Sequence, residues 1–599
     1  MSFRTSGAAD SRNSQGLRKE EKEIFTTTLR THVFVCGFFY FVVDIDENFR
    51  YNVVIFGISR AAEKTRAAKR NDYEKEGFMI KKYVEKRYIL LPVEGGAQTT
   101  KIRFYKGDGE EKTLVFDLDC KLAKEKIDFV ACYDARELVG KEIYFECEGD
   151  ADITQSDDKV LPAADKLRPF VHFAPEVGWN NDPNGMIEYD GEYHMFYQFN
   201  PCGRDWGNMH WGHAVSRDML SWEEKEIALF PDENGTMFSG SAIEDKRNLS
   251  GLKKGEKNPL LLFYTAAGGT SELSKGKPFT QRLAYSTDGG KTFVKREGKP
   301  IIDFIADGNR DPKVVWAEEI NSYLLALYLT GSEYALFTSK NLLDWTLLQK
   351  ITVDGESECP DIYSFKKDGK IYRAIIGAAD MYVIGEFSDG KFRQITDVKQ
   401  LGYPGRRKGG LPRSYAAQSF SGTGDRIVRI SWHNIGSPRL YGASEMSLPQ
   451  EITLCGQGKD MYLKILPAAE TEKLRESEIV RENVAPGEKI CLDLKESAYR
   501  VEIKGDRADF CLDAFGLKIR GDARNNLLDA GGTAIPSDGE SNDIIAIFDK
   551  SSVEIYADGG RVFTVVAHVC DYDCAKLEFY SAGKTTKLSV TTLKNLFAK

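Results

Sequence analysis

Between Arg168 and about residue 450 one β-unit recurs, and this repeat limits the possible folds more than any other feature of the chain. One half of the unit opens with an acid beside a proline and runs into strands: NDPNGMIEYDGEYHMFYQ, RDPKVVWAEEINSYLLALYL and ECPDIYSFKKDGKIYRAIIG. The other half is a small-residue strand, a polar turn and an aromatic: AVSRDMLSW, AYSTDGGKTF, FTSKNLLDW and EFSDGKF. Its serines, Ser216, Ser286, Ser339 and Ser388, lie 70, 53 and 49 residues apart. That period suits four-stranded propeller blades, and about five of them fit the span. A sandwich of consecutive hairpins would share the turns but would not repeat the acid–proline start. The prediction is an all-β chain with a five-bladed β-propeller over 168–450.

The flanks read differently. Residues 455–599 lose the repeat but stay strand-rich, as in DIIAIFDKSSVEIYADGGRVFTVVAH, and read as a β-sandwich in which Asp549 and Glu554 are structural. Residues 79–155 alternate in short strands broken by DG-type turns. They read as a small all-β N-terminal module whose acids face solvent and carry no chemistry. Residues 152–169 read as a linker. Residues 1–78 are charged and aperiodic over long stretches, such as RAAEKTRAAKRNDYEKEG, and are expected to be a loosely ordered extension, with Met79 a candidate true start.

Several functions are disfavoured. A net charge of −9 suits neither a phosphate backbone nor nucleic acid in general. The longest apolar run, Val33–Val43, is too short to span a bilayer, which takes about 20 residues, and it lacks a small-residue cleavage site. A cytoplasmic location is therefore expected, with secretion the alternative. Eleven cysteines are scattered without CxxC pairs, and only Cys570 and Cys574 lie close together, so buried free thiols are expected.

Three acids stand at strand starts in three different units: Asp182 in NDP, Asp311 in RDP and Glu358 in ECPD. The innermost strand of each blade lines the propeller's central channel, so these carboxylates are expected to converge on one funnel. Proline cannot donate to a sheet ladder and suits the first position of such a strand. Clustered carboxylates repel, so one is expected to keep its proton while another stays ionised, as glycoside cleavage requires. Metal binding is the rival use of such acids, but no HxxxH-like arrangement supports it, and His210 and His213 lie in a strand-like run. Trp206 and Phe238, with Gln198, Asn208 and Ser239 near them in sequence, suit a sugar's C–H faces and hydroxyls, whereas Trp211 and Trp222 are assigned to the core.

RPFVHFAPEVGWNNDPNG, FYQFNP, WGNMHWGHAVSRDMLSWEE, FSGSA, RDPKV and ECPD, in this order, resemble glycoside hydrolase family 32, the fructan hydrolases and invertases. The likeness is close over about 168–450 and continues more weakly into the sandwich. It implies a propeller plus sandwich that cleaves β-D-fructofuranosyl linkages with retention. By resemblance, Asp182 matches the nucleophile, Glu358 the acid/base and Asp311 the transition-state stabiliser. Asn181, Gln198, Trp206, Phe238, Ser239 and Arg310 match fructose-contacting positions, and Trp432 does so more weakly. Asn180 departs from the family's usual Met or Leu and is expected in the pocket wall.

The levanase/inulinase branch fits better than plant-type invertases, so release of terminal fructose from fructans, with sucrose as a near alternative, is expected. No cofactor or metal is implied, and no membrane or nucleic-acid partner. With no recognisable leader, small imported fructo-oligosaccharides or sucrose are expected as substrates rather than polymer. Endo-acting levanase, fructosyl transfer and, in another class, a non-catalytic fructan-binding propeller stay open, as does oligomeric state.

Overall fold

Strands Leu260–Ala267 (LLLFYTAA) and Ser322–Thr330 (SYLLALYLT) are buried along nearly their whole length. A continuous apolar run needs cover on both faces, and a ring of sheets packed face to face supplies it. Five antiparallel sheets form that ring in the computed structural model, which describes residues 32–36, 39–45, 51–57, 79–107, 112–147, 153–162, 165–403, 411–436, 439–573 and 575–597.

Each blade begins at the central channel. The innermost strands are Gly178–Tyr189, Thr236–Glu244, Arg310–Ala317, Asp361–Lys367 and Ser414–Ser419, and each pairs outward with the next strand in sequence. The outer edges are short or solvent-facing, as at Glu223–Glu224, Val294–Lys295 and Thr346–Thr352. A separate apolar core fills each wedge between neighbouring blades. Phe196, Trp211 and Leu262 lie between the first and second, Phe263, Leu283 and Leu325 between the second and third, and Leu336, Ile362 and Val383 between the third and fourth. The ring closes where Met186 and Tyr197 of the first blade meet Phe420 and Ile430 of the fifth, and where Gly178 and Trp179 pair with Gly442 and Ala443. Ser216, Ser286, Ser339 and Ser388 each end the third strand of the first four blades. The first three close the following turn through Asp218, Asp288 and Asn341.

Two six-stranded sheets after Arg475 form a sandwich around Leu512, Ile519, Phe548 and Phe579. One sheet also packs Ile547, Tyr556 and Phe563 into the wedge between the fourth and fifth blades.

The segment from Met79 to Ser156 forms a four-stranded and a three-stranded sheet around Ile102, Phe104, Phe129 and Phe145. Not all of its acids face solvent, contrary to expectation. Asp134 is buried and paired with Arg87 and Arg136. Asp117 accepts from the backbone N–H groups of Glu272 and Leu273 (3.0 Å each), which fastens the module to the second blade. Asn208 and the Asp119 backbone exchange two further bonds (2.8 and 2.7 Å) across to the first blade.

Contacts divide the chain into two units, 1–76 and 77–599. In the first, His32–Cys36, Phe39–Ile45 and Tyr51–Gly57 pair as an antiparallel meander, and the rest of the expected extension lies outside the described residues. No helix among the described residues is long and apolar enough to cross a membrane.

Candidate active site

Four of the five innermost strands lose their regular pairing at corresponding places. The irregularities fall between Asn180 and Pro183, Phe238 and Gly240, Arg310 and Lys313, and Tyr415 and Gln418. A bulge re-aims a side chain that a regular strand would direct into the next blade. Asp182, Ser239 and Asp311 all sit in these breaks. Asp311 takes a left-handed conformation (φ 65°), as do Glu358 (57°) and Cys359 (36°) in the turn before the fourth inner strand, and Ala416 (51°) in the fifth blade. Such conformations in non-glycine residues are costly and persist where surrounding contacts enforce them. Here Thr265 Oγ1 accepts from the Asp311 N–H (2.9 Å), and buried Glu356 accepts from the N–H groups of Ser357, Ala379 and Met381 (3.0, 2.8 and 2.7 Å) to fix the turn.

The prolines and acids depart in detail from the expected strand starts. Pro183 and Pro312 lie inside their strands, Pro183 at the end of one bulge opposite Tyr197 and Pro312 within the other, irregular places that suit a residue with no N–H. Glu358 precedes its strand, and the first strand residue, Asp361, instead pairs with buried Lys313 (3.1 Å).

The three acids share one hydrogen-bonded group. Asp182 accepts from Ser239 Oγ (2.7 Å), Asn181 Nδ2 (3.0 Å) and the Cys359 thiol (3.4 Å). The same thiol reaches Asp311 (3.5 Å), which also accepts from the Cys359 backbone N–H (3.0 Å). Glu358 holds Arg310 through one oxygen (2.7 Å) and Tyr415 through the other (3.2 Å). Arg310 is braced over the Tyr328 ring (4.5 Å) and by the Gly308 carbonyl (2.7 Å).

Burial pushes Asp311 up to about 7, with the charges of Glu358 and Asp182 adding to the rise against the pull of Arg310. Burial also raises Asp182, while the Ser239 and Asn181 hydrogen bonds favour its anion. The repulsion expected between clustered carboxylates therefore acts on both, but loss of solvent is the larger cause.

The expected sugar contacts are placed as follows. Trp206 is 57% exposed and meets Phe238 edge-on (5.9 Å between ring centres). Gln198 donates to the Met237 carbonyl (2.8 Å). Asn184, oriented to match its neighbours, donates to Ser239 Oγ (3.1 Å) and accepts from the Gln198 N–H (3.1 Å). Trp432 is buried beside Trp179 and Tyr415, and its indole N–H has no hydrogen-bond partner among the described residues. Trp211 lies in the core, with its N–H on the Phe238 carbonyl (3.0 Å). Two expectations fail. Asn180 points to the Ala443 and Ser444 carbonyls (2.9 and 3.2 Å) instead of forming pocket wall, and Asn208 is committed to Asp119 and Asn200. Cys359, Tyr415 and Tyr334, whose hydroxyl donates to the Glu358 carbonyl (3.2 Å), were not anticipated.

Among the described residues, His172, His433 and Glu445 have the spacing of a metal site. They lie at the propeller–sandwich junction with Asp549 and Glu554. His172 touches Asp549 through one ring nitrogen (2.9 Å) and Glu554 through the other (3.3 Å). Burial alone would lower its pKa, but these carboxylates hold it well above the usual value. A metal ligand needs a free ring nitrogen, so this arrangement suits an imidazolium in an ion network. His210 and His213 are buried, and burial keeps both rings neutral, down to about 4 for His210. No disulfide joins any of the cysteines whose side chains are described.

Residues 172–464 match the description Glycosyl hydrolases family 32 N-terminal domain. A levanase of Bacillus subtilis is 35% identical over 340 residues, covering 51% of this chain and 48% of the levanase. An extracellular exo-inulinase of Aspergillus ficuum is 31% identical over 335 residues, covering 48% of this chain and 62% of the inulinase. The chain thus spans about half to three-fifths of these curated relatives. The crystal structure of an exo-inulinase from Aspergillus awamori superposes with a TM-score of 0.63 at 23% identity, covering 72% of this chain and 99% of that one, a likeness of fold.

Proposed function

With residues 172–464 forming a family 32 glycosyl hydrolase domain, we propose that the chain hydrolyses β-D-fructofuranosyl linkages with retention, releasing terminal fructose from fructan oligosaccharides and from sucrose. The observation that carries this reading is the linkage of Asp182, Asp311 and Glu358 through Cys359 and Arg310 around one funnel.

Glu358 gives its proton to the glycosidic oxygen while an Asp182 oxygen bonds the anomeric carbon. The bond to the leaving sugar breaks, leaving a fructosyl–Asp182 ester. Glu358, now an anion, takes a proton from water, and the water oxygen displaces Asp182. Asp311, fixed by the Thr265 and Cys359 contacts, receives the fructose hydroxyls as positive charge develops on the ring. Arg310 and Tyr415 stabilise Glu358 once its proton has left. Asp182 needs no metal to become a nucleophile: three donors already favour its anion. Free buried thiols suit a reducing compartment, and with it small oligosaccharides as substrates.

Incubation with sucrose, inulin and levan, with products resolved over time, tests the reading. Free fructose as the first product supports it. A ladder of oligosaccharides would indicate endo action, and products longer than the substrate would indicate transfer. No turnover of any fructoside, with binding intact, would leave a sugar-binding propeller.

A further inference from the structure

We propose that the cleft between the N-terminal module and the first blade binds the leaving-group end of an oligofructan, beyond the bond that is cut. The inference rests on the fructosidase reading above and adds a second, non-catalytic part to the substrate site.

The cleft has a volume of about 460 Å³, within the roughly 300–1,000 Å³ range of small-molecule sites. Gly95, Thr99 and Lys121 of the module form one wall, and Trp179, Arg204 and Trp206 of the first blade form the other. Both indoles lead back to the catalytic carboxylates. The Trp179 N–H donates to Asn181 (2.9 Å), which in turn bonds Asp182. Trp206 meets Phe238, next in sequence to Ser239, which also bonds Asp182. A terminal fructose seated on the three acids leaves its further units to extend away from them, and these contacts lead from the acids to the two indoles that line the cleft.

The lining has the chemistry of a sugar site. Trp206 offers a large exposed aromatic surface, and sugar C–H faces cover such surfaces. Lys121 pairs with Asp205 across the cleft (2.5 Å), giving a cation and an anion to hydroxyl groups, and the buried Arg204 Nε has no hydrogen-bond partner among the described residues. The wall is held in place: Asn208–Asp119 and Asp117 with the 272–273 backbone fix the module to two blades. The module therefore extends the reach of the site along the chain without contacting the bond that breaks.

The test is steady-state kinetics of the full chain on a series from sucrose to the fructan pentasaccharide. It compares wild type with Thr99→Trp, which fills the cleft, and Lys121→Ala, which removes its cation. In the wild type, KM is expected to fall as the substrate lengthens. In both variants the preference for pentasaccharide over sucrose, as a ratio of kcat/KM, is expected to drop about tenfold through KM. An unchanged ratio in both variants, each melting as the wild type does, would overturn the proposal. If the wild type cleaved neither substrate, the fructosidase reading alone would fail. Calorimetric titration of the same proteins with pentasaccharide would then decide the cleft: about tenfold weaker binding in the variants supports it, and equal binding overturns it.

Discussion

Asp182 is pulled in two directions, and the balance can be measured. Burial raises its pKa above the ordinary carboxylate value while Ser239, Asn181 and Cys359 favour the anion. Activity requires that anion, so the acidic limb of kcat/KM is expected above pH 3.8 and is lost as pH falls through the raised value. Ser239→Ala removes the shortest of the three bonds (2.7 Å). It is expected to move the limb further up and to lower kcat/KM about tenfold or more, the loss of one charge-assisted bond; a limb that stayed or moved down would count against the assignment. Asp311 supplies a second test. Its folded pKa of about 7 lies above the ordinary carboxylate value of 3.8, so it binds a proton in the native state that the unfolded chain releases. Stability from this group is therefore present below pH 3.8 and lost as pH rises through about 7. Asp311→Asn is expected to raise stability by on the order of 4 kcal/mol at pH 8 and by little at pH 4, while turnover falls by orders of magnitude. Thermal melts at the two pH values check this, and equal gains at both would refute the cause given.

At the scale of elements, the proposed reaction depends on irregular strands. A bulge at Phe238–Gly240 turns Ser239 toward Asp182, and a Cβ at Gly240 would stand 1.8 Å from the Phe263 carbonyl oxygen. Backbone cannot yield to that contact as a flexible side chain can. Gly240→Ala is therefore expected to cost about 2 kcal/mol or more in stability, and to lower kcat/KM sharply even where the protein folds. Chemical denaturation together with sucrose kinetics reads both; a variant with wild-type values would show that the bulge positions nothing.

These irregularities also set what was legible from sequence. NDP, RDP and ECPD are local signals, so Asp182, Asp311 and Glu358 could be singled out, and the serine-ended third strands revealed the blade period. Cys359, Tyr415 and Thr265 could not. A hydroxyl within an apolar strand, or a thiol in the turn before one, carries no signature, and each gains its partner only when distant blades close into a ring. Asn180 misled because it stands two residues before the proposed nucleophile Asp182, while its own side chain turns to the 443–444 backbone.

Across the whole molecule, a buried ion network at Asp549, Glu554 and His172 ties sandwich to propeller. Asp549 also accepts from the backbone N–H groups of Phe170 and Val171 (2.7 and 3.0 Å). Burial opposes the charges of Asp549 and Glu554, but His172 holds both below their usual values. Their stabilisation is present above the ordinary carboxylate value and lost as pH falls through the lowered one. That of His172 is complete below 6.5 and lost only as pH rises through its raised value. Between these limits, Asp549→Ala leaves a buried cation short of a partner and is expected to destabilise the protein by about 3–5 kcal/mol, read as an earlier unfolding midpoint. A midpoint unchanged from wild type would mean that the network holds nothing together. The catalytic assignment has a more direct test. Glu358→Gln, incubated with a fructoside whose leaving group needs no protonation, should accumulate a fructosyl ester, and peptide mass spectrometry should find the added fructosyl mass on the fragment that contains Asp182. That mass on another residue, or rapid release of fructose with inverted configuration and no adduct, would contradict the account.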